Sequence, residues 1–367
     1  MRTDAAVVGG GIIGSAIGYE LARSGLSVSL FDSRALYGGA TLAAAGLLVS
    51  GRGVAVGPLQ SLTEESLALY PAWVAELERN AGVEVGFHSN AVLRVARNER
   101  EARVLVEAVE RALQRGRRAQ WLSPAAAAES EPLIEGVACV GAARFENEGF
   151  VNVSRLVAVL RAGIRRFGGV IFSSTVTRAV RTGPFWELKA DFAEVQTEHL
   201  VLAGGFHSLP LAQQIGIALP LYPVRGLSFC VCGTSRLSRA LTIGGLQIVP
   251  QSRTEVVVGS TVEREECRPA IAPKRLGELR DRSNAICPWL REGRVSAVRC
   301  GIRPASRIGR PIVGAVPGYA NVVVAVGHYR SGLALAPLTA KTVQEVILGS
   351  PANEASRFFA WPRGEMR

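Results

Sequence analysis

Apolar and polar positions fall into short runs along this chain, and their periods predict alternating strands and helices. Residues 5–8 are continuously apolar, residues 12–24 suit a helix, and residues 28–31 are apolar again, which predicts strand, helix, strand. Residues 61–80 carry apolar side chains at helical spacing, with Pro71 predicting a kink or break and so a pair of surface helices. Strands are expected over 83–96, and residues 99–116 predict an amphipathic helix with Val104, Leu105, Ala108 and Val109 inward. A strand over 140–145 precedes a helix over 155–167 that stops at Gly168-Gly169. Strands over 170–172 and 176–180 follow, then a small hairpin from 186–190 and 193–197. A separate strand over 199–203 ends at Gly204-Gly205. Three short apolar strands within 226–262 predict an antiparallel sheet, residues 269–290 a helical stretch, and residues 322–326 a strand leading into the last helix.

The first of these runs carries chemistry. Between strand and helix stand Gly9, Gly11 and Gly14 in the spacing G-x-G-x-x-G, with Ile12 and Ile13 inside it, and Asp32 closes the second strand. This is the order of a Rossmann-type dinucleotide site. Gly9 permits the tight turn, Gly11 removes a side chain from the path of a pyrophosphate, and Gly14 lets the helix approach the sheet. The helix N-terminus offers unpaired N–H groups to phosphates, and Asp32 offers acceptors to ribose hydroxyls. Further on, Thr41 is expected to cap a second helix, and the alanines of 43–45 allow close approach of a flat group. Gly204-Gly205 predicts a second close approach of backbone to the cofactor. Gly327 stands at a strand-to-helix junction that turns helix N–H groups toward a bound group.

Composition narrows the picture. At 367 residues the chain exceeds one ordinary core, and 48% apolar content supplies two. The formal charge is +11, and all but three of the 42 basic residues are arginine, spread along the chain without interleaved aromatics. No nucleic-acid partner is expected; the field suits an anionic cofactor and substrate. The six cysteines form no C-x-x-C pair, and no metal site is expected. The chain opens directly on a strand, with no leader and no run of 18 apolar residues, so a cytoplasmic protein without a membrane span is expected. A homo-oligomer stays open, with nothing in the sequence to mark its interface.

Four segments together, residues 7–25, the L-A-A-A-G turn, G-I-R-P-A-S-R-I-G-R-P-I-V-G at 301–314 and G-H-Y-R-S-G-L-A-L-A-P at 327–337, resemble the D-amino-acid oxidase family of flavoproteins. Within it they are most similar to the bacterial glycine oxidases of thiamine synthesis. The resemblance implies a glutathione-reductase-like, two-domain flavoprotein with non-covalent FAD. Its FAD domain is expected over 1–82, 140–218 and 297–367, and its substrate domain over 83–139 and 219–296. Adenosine is expected on the glycine turn, Asp32, Ser33, Arg34 and Val176. The ring system is expected against Thr41, Ala44, Ala45, Gly46, Leu47 and Gly301, near Gly327, His328, Tyr329, Arg330, Ser331, Gly332 and Leu333.

The same resemblance implies oxidation of an amino acid at its carbon–nitrogen bond by hydride transfer to flavin N5, reoxidation by dioxygen to hydrogen peroxide, and hydrolysis of the imine. Arg303 is then the partner of the substrate carboxylate, with Arg330 adding field at the opening. The chain departs from the glycine oxidase pattern at Gln247, where a tyrosine is expected, at Gly245, where a histidine is, and at Leu42, where a serine is. Arg299 replaces an aromatic, and the turn before the alanines is one residue shorter. A bulkier or N-substituted amino acid, or a second anionic group met by Arg299, would fit such a pocket. The alternatives from the sequence are a dehydrogenase of the same fold and a flavin-binding protein without turnover.

Overall fold

The computed structural model describes residues 1–33, 39–51, 57–233 and 237–362. Two large sheets organise it. In the first, of eight strands, Arg2–Val8 pairs in parallel with Val28–Phe31 on one side and Ala193–Leu202 on the other. Val170–Phe172 extends the sheet beyond Val28–Phe31. All four residues of Val28–Phe31 are buried, as parallel strands covered on both faces must be. Helices Ile12–Arg23, Pro58–Ala81, Val153–Arg166 and Gly332–Ile347 share one apolar core against this sheet, and a second core fills its other face.

Three sequence expectations are revised here. Pro58–Ala81 is one continuous helix of 24 residues rather than a pair. Pro71 faces solvent, where water can satisfy the carbonyl it frees, while Leu67, Tyr70, Trp73, Val74 and Leu77 keep one buried stripe through it. The two pieces expected within 193–203 are the single strand Ala193–Leu202. Its first half pairs antiparallel with Phe185–Ala190 and Leu200 to Leu202 pair parallel with Val322 to Val324. The polar Glu198 and His199 that interrupt the apolar run stand where the partner changes.

The second sheet, of nine strands, keeps the three predicted strands antiparallel, Leu221–Cys232 and Leu246–Pro250 both pairing with Glu255–Gly259, and a parallel pair outside them makes the sheet as a whole mixed. Val92–Ala96 and Ala240–Ile243 run parallel, because no hairpin joins them and a long crossover leaves direction free. Its spine is the antiparallel pair Leu221–Cys232 and Arg294–Ser306. Gly141–Phe145 also belongs to it, paired with Val92–Ala96. The third revision concerns the expected returns to the FAD domain: 140 falls just before Gly141–Phe145 and 297 inside Arg294–Ser306, both strands of the second sheet, since an apolar run does not reveal which sheet it joins. Leu47–Leu48, His88–Ser89 and Gly149–Phe150 form a small third sheet. No helix among the described residues is long and apolar enough to cross a membrane. All six cysteines are free thiols.

Candidate active site

The glycine turn is shaped by backbone contact. Gly9 has a φ of 114°, and a Cβ there would lie 2.4 Å from Gly204 Cα; one on Gly14 would lie 1.7 Å from the Gly9 carbonyl oxygen. Gly204 is thus the residue on which the turn rests. Gly11 is the N-cap of Ile12–Arg23 and has no side chain to offer, so Thr41 supplies the cap: its Oγ1 accepts the Ile12 N–H at 3.1 Å. Thr41 does not cap a helix of its own, because Ala40–Ala43 is a single turn laid across this N-terminus. Ile13 packs into the core behind the turn. Asp32 accepts the Gly10 N–H at 3.3 Å and pairs with Arg161, which also donates to the Gly10 carbonyl at 2.6 Å. A carboxylate has about four acceptor sites, so Asp32 retains capacity for hydroxyl groups. Ser33 follows it at the same strand end, and Arg34 lies outside the described residues.

From Ile12 and Thr41 a cavity of about 390 Å³ runs between the two sheets. Ala44, Ala45, Gly46 and Leu47 form one wall; Gln247, Gly301 and Arg303 come from the second sheet; Tyr329, Arg330, Ser331, Gly332 and Leu333 close it at the start of the last helix. That last segment is anchored by Tyr70, whose hydroxyl donates to the Leu333 carbonyl at 2.5 Å. Gly226 and Gly301 are register partners across the central antiparallel pair. A Cβ on Gly301 would stand 2.6 Å from Ala43 Cβ, and one on Gly226 would stand 2.3 Å from the Arg303 guanidinium. The missing side chains make the floor on which Arg303 lies.

Arg303 is the electrostatic centre of the cavity. Its Nη2 donates to Ser260 Oγ at 2.7 Å and its Nη1 to the carbonyls of Thr261 and Arg225 at 3.2 and 3.4 Å, all neutral acceptors. Among the described residues no carboxylate pairs with it. The neighbouring Arg225, by contrast, is neutralised by Glu263 at 2.6 Å and Glu266 at 3.7 Å. Burial, then the positive charge of Arg330, pulls the Arg303 guanidinium down to about 10. Arg330 lies 5.3 Å from the Tyr329 ring centre, and its buried Nε has no hydrogen-bond partner among the described residues. A cavity walled by alanine and glycine, with an open helix N-terminus at one end and two arginines at the other, suits a flat, anionic cofactor and an anionic substrate.

Several expected residues stand elsewhere. Val176 is buried in the core on the far face of the first sheet, Gly205 packs near Pro304, and Gly327 lies beside Ser306. His328 turns inward: its Nε2 lies 3.0 Å from Thr339 Oγ1, so its ring is a packing group rather than a cofactor contact. Burial pushes this imidazole down to about 3, below its ordinary value of 6.5. The unfolded chain therefore takes up the proton first as pH falls, and stability present above about 6.5 is lost progressively toward 3. Between pH 7 and 5.5 the loss should be about 1 kcal/mol, and urea melts of wild type and His328→Gln should show that increment only in the wild type. Arg299 lines no part of the cavity, and its positive charge lies close to the Cys230 thiol, so the second anion site expected of it is not in this cavity. Gly226, Ser228 and Ser260 do line it and were not foreseen, although small residues at alternate positions of one strand are a readable signal.

Comparison with known proteins accords with this geometry. The family described as FAD dependent oxidoreductase (DAO) matches residues 4–346. A glycine oxidase of Geobacillus kaustophilus is 30% identical over 350 residues, 94% of this chain and 93% of that protein. The crystal structure of glycine oxidase from Geobacillus kaustophilus superimposes with a TM-score of 0.91 at 29% identity, covering 99% of each chain. That of glycine oxidase from Bacillus cereus gives 0.89 at 26%, again over 99% of each.

Proposed function

The chain belongs to the DAO family of FAD-dependent oxidoreductases, and from that premise we propose that it oxidises the carbon–nitrogen bond of an amino acid anchored by its carboxylate on Arg303. The observation that carries this reading is a half-buried guanidinium inside the cavity whose hydrogen-bond partners among the described residues are all neutral. A planar carboxylate completes such a fork with two charge-assisted hydrogen bonds.

FAD, held without a covalent bond, supplies the electron acceptor. Gly9, Gly11 and Gly14 with the N-terminus of Ile12–Arg23 would hold its phosphates, Asp32 its ribose, and the wall from Ala44 to Leu47 its ring system. The first sheet is thereby the cofactor domain and the second the substrate domain. The chain's own contribution is placement and field. Arg303 fixes the carboxylate, and Gln247, whose amide can donate, stands in the same cavity to share it. Arg303 and Arg330 together disfavour a second positive charge between them, so the substrate amine is held unprotonated and needs no dedicated base. Six free thiols suit a reducing compartment such as the cytoplasm.

Dioxygen is the proposed final acceptor. Incubation of the holoprotein with glycine, sarcosine and D-alanine in an oxygen electrode should give uptake with one hydrogen peroxide per amine oxidised. Turnover seen only with an artificial dye, without peroxide, would replace oxidase by dehydrogenase.

A further inference from the structure

A second cavity, of about 500 Å³, adjoins the first. The two share Leu47, Val49, Gly51 and Gln247, so a single partition separates them. The far side is apolar, formed by Val104 and Leu105 of helix Glu99–Gln114 and by Leu246 next to the hairpin turn Gly244-Gly245. Both turn residues are glycines with positive φ, so no side chain from the turn narrows the chamber. Of the charged residues at its rim, Arg94 Nε donates to Glu148 at 2.9 Å and Glu101 accepts the Arg97 N–H at 2.9 Å, while Arg100 is exposed to solvent.

The partition has a fixed part and a loose part. Glu148 accepts from both the Ser50 N–H and hydroxyl, at 3.0 and 3.1 Å, which pins the backbone between Val49 and Gly51. Gln247 is half-buried, and among the described residues its side-chain amide has no hydrogen-bond partner. Its side chain can therefore swing without breaking a bond. A chamber of this size lies within the range of small-molecule sites and is unused by a two-carbon amino acid.

We propose that this chamber receives an apolar arm of the substrate, carried on its nitrogen or α carbon and passing Gln247, so that the preferred substrate is an arm-bearing amino acid rather than glycine. This rests on the reading that Arg303 anchors an amino-acid carboxylate. Two probes separate the sources of the arm: N-benzylglycine carries it on nitrogen, D-phenylalanine on carbon. One of them should show kcat/KM about tenfold or more above glycine. Leu105→Trp fills the chamber from the helix side and should remove that advantage while leaving glycine oxidation within about twofold; Val104→Phe is the milder variant should the tryptophan disturb folding. Binding without turnover gives an independent readout. 3-Phenylpropionate should perturb the flavin absorbance of the oxidised holoprotein at a concentration about tenfold below acetate, and in Leu105→Trp the two should converge. Glycine equal or superior to both armed substrates, or a chamber variant that slows all substrates alike, would overturn the assignment. If no amino acid is oxidised while phenylpropionate binding still depends on Leu105, the chamber stands and the oxidation reading falls.

Discussion

Replacing Arg303 with alanine is expected to lower kcat/KM for the amino-acid substrate by roughly two to three orders of magnitude while the purified protein stays yellow and folded. The size follows from two charge-assisted hydrogen bonds in a half-buried site, together about 3–4 kcal/mol. Most of the loss should appear in KM, because the carboxylate is bound alike before and during the reaction. Among the described residues Arg303 has no ion-pair partner; what its replacement loses are hydrogen bonds to Ser260, Thr261 and the Arg225 carbonyl. Stability should therefore change far less than kinetics. Arg303→Lys restores the charge but not the planar fork, and should recover only part of the loss. Unchanged KM in Arg303→Ala, measured by steady-state oxygen uptake, would remove the carboxylate anchor from this site.

Gly11→Val is expected to give folded, nearly colourless protein, with FAD affinity reduced by at least about a hundredfold. The neighbouring glycines show why this position is the discriminating one. A Cβ on Gly14 or Gly9 strikes backbone at 1.7 or 2.4 Å, so substitutions there break the turn itself. At Gly11 the nearest atom is Thr41 Oγ1 at 2.9 Å, a side-chain atom that can turn away at the cost of its one cap hydrogen bond to the Ile12 N–H, and the Gly11 φ of −67° is open to any residue. The protein tolerates valine; the pyrophosphate does not. Circular dichroism should match wild type while titration with FAD fails to restore the visible spectrum. Full FAD retention in this variant would place the cofactor's phosphates elsewhere.

Local motifs were the most legible part of the chain. The glycine turn with Asp32, the alanines 43–45 and Arg303 each declare themselves within a few neighbouring residues, and the structure brings the alanine wall, Arg303 and the helix end at Ile12 to one cavity. What sequence reading missed depends on partners far along the chain. The inward turn of His328 is set by Thr339 on the last helix, and Thr41 caps a helix that starts 29 residues earlier. Gly226 matters because Arg303 lies across it from the adjoining strand, a pairing that only the register of Leu221–Cys232 with Arg294–Ser306 reveals. Strand identity was readable for Gly141–Phe145, but sheet membership was not, since both sheets bury the same kinds of apolar residue. Pro71 marked a break by local rule, and a buried stripe spanning it outweighed that rule.

The departures at Gly245 and Gln247 gain meaning only with the two cavities in view. Gln247 stands in the wall common to both, and Gly245 belongs to the second alone. Under the proposed reading, substrate choice is written at Gln247 and in the chamber behind it, whereas the cofactor is written in the opening turn.

The most direct test of carboxylate-anchored amine oxidation is anaerobic mixing of the holoprotein with matched pairs of amines, with and without the carboxylate: glycine against methylamine, sarcosine against dimethylamine, N-benzylglycine against benzylmethylamine. Bleaching of the flavin band by at least one carboxylated member, and by none of the decarboxylated partners, is the expected result. Equal bleaching by both members of a pair, or no bleaching by any carboxylated amine, would contradict it.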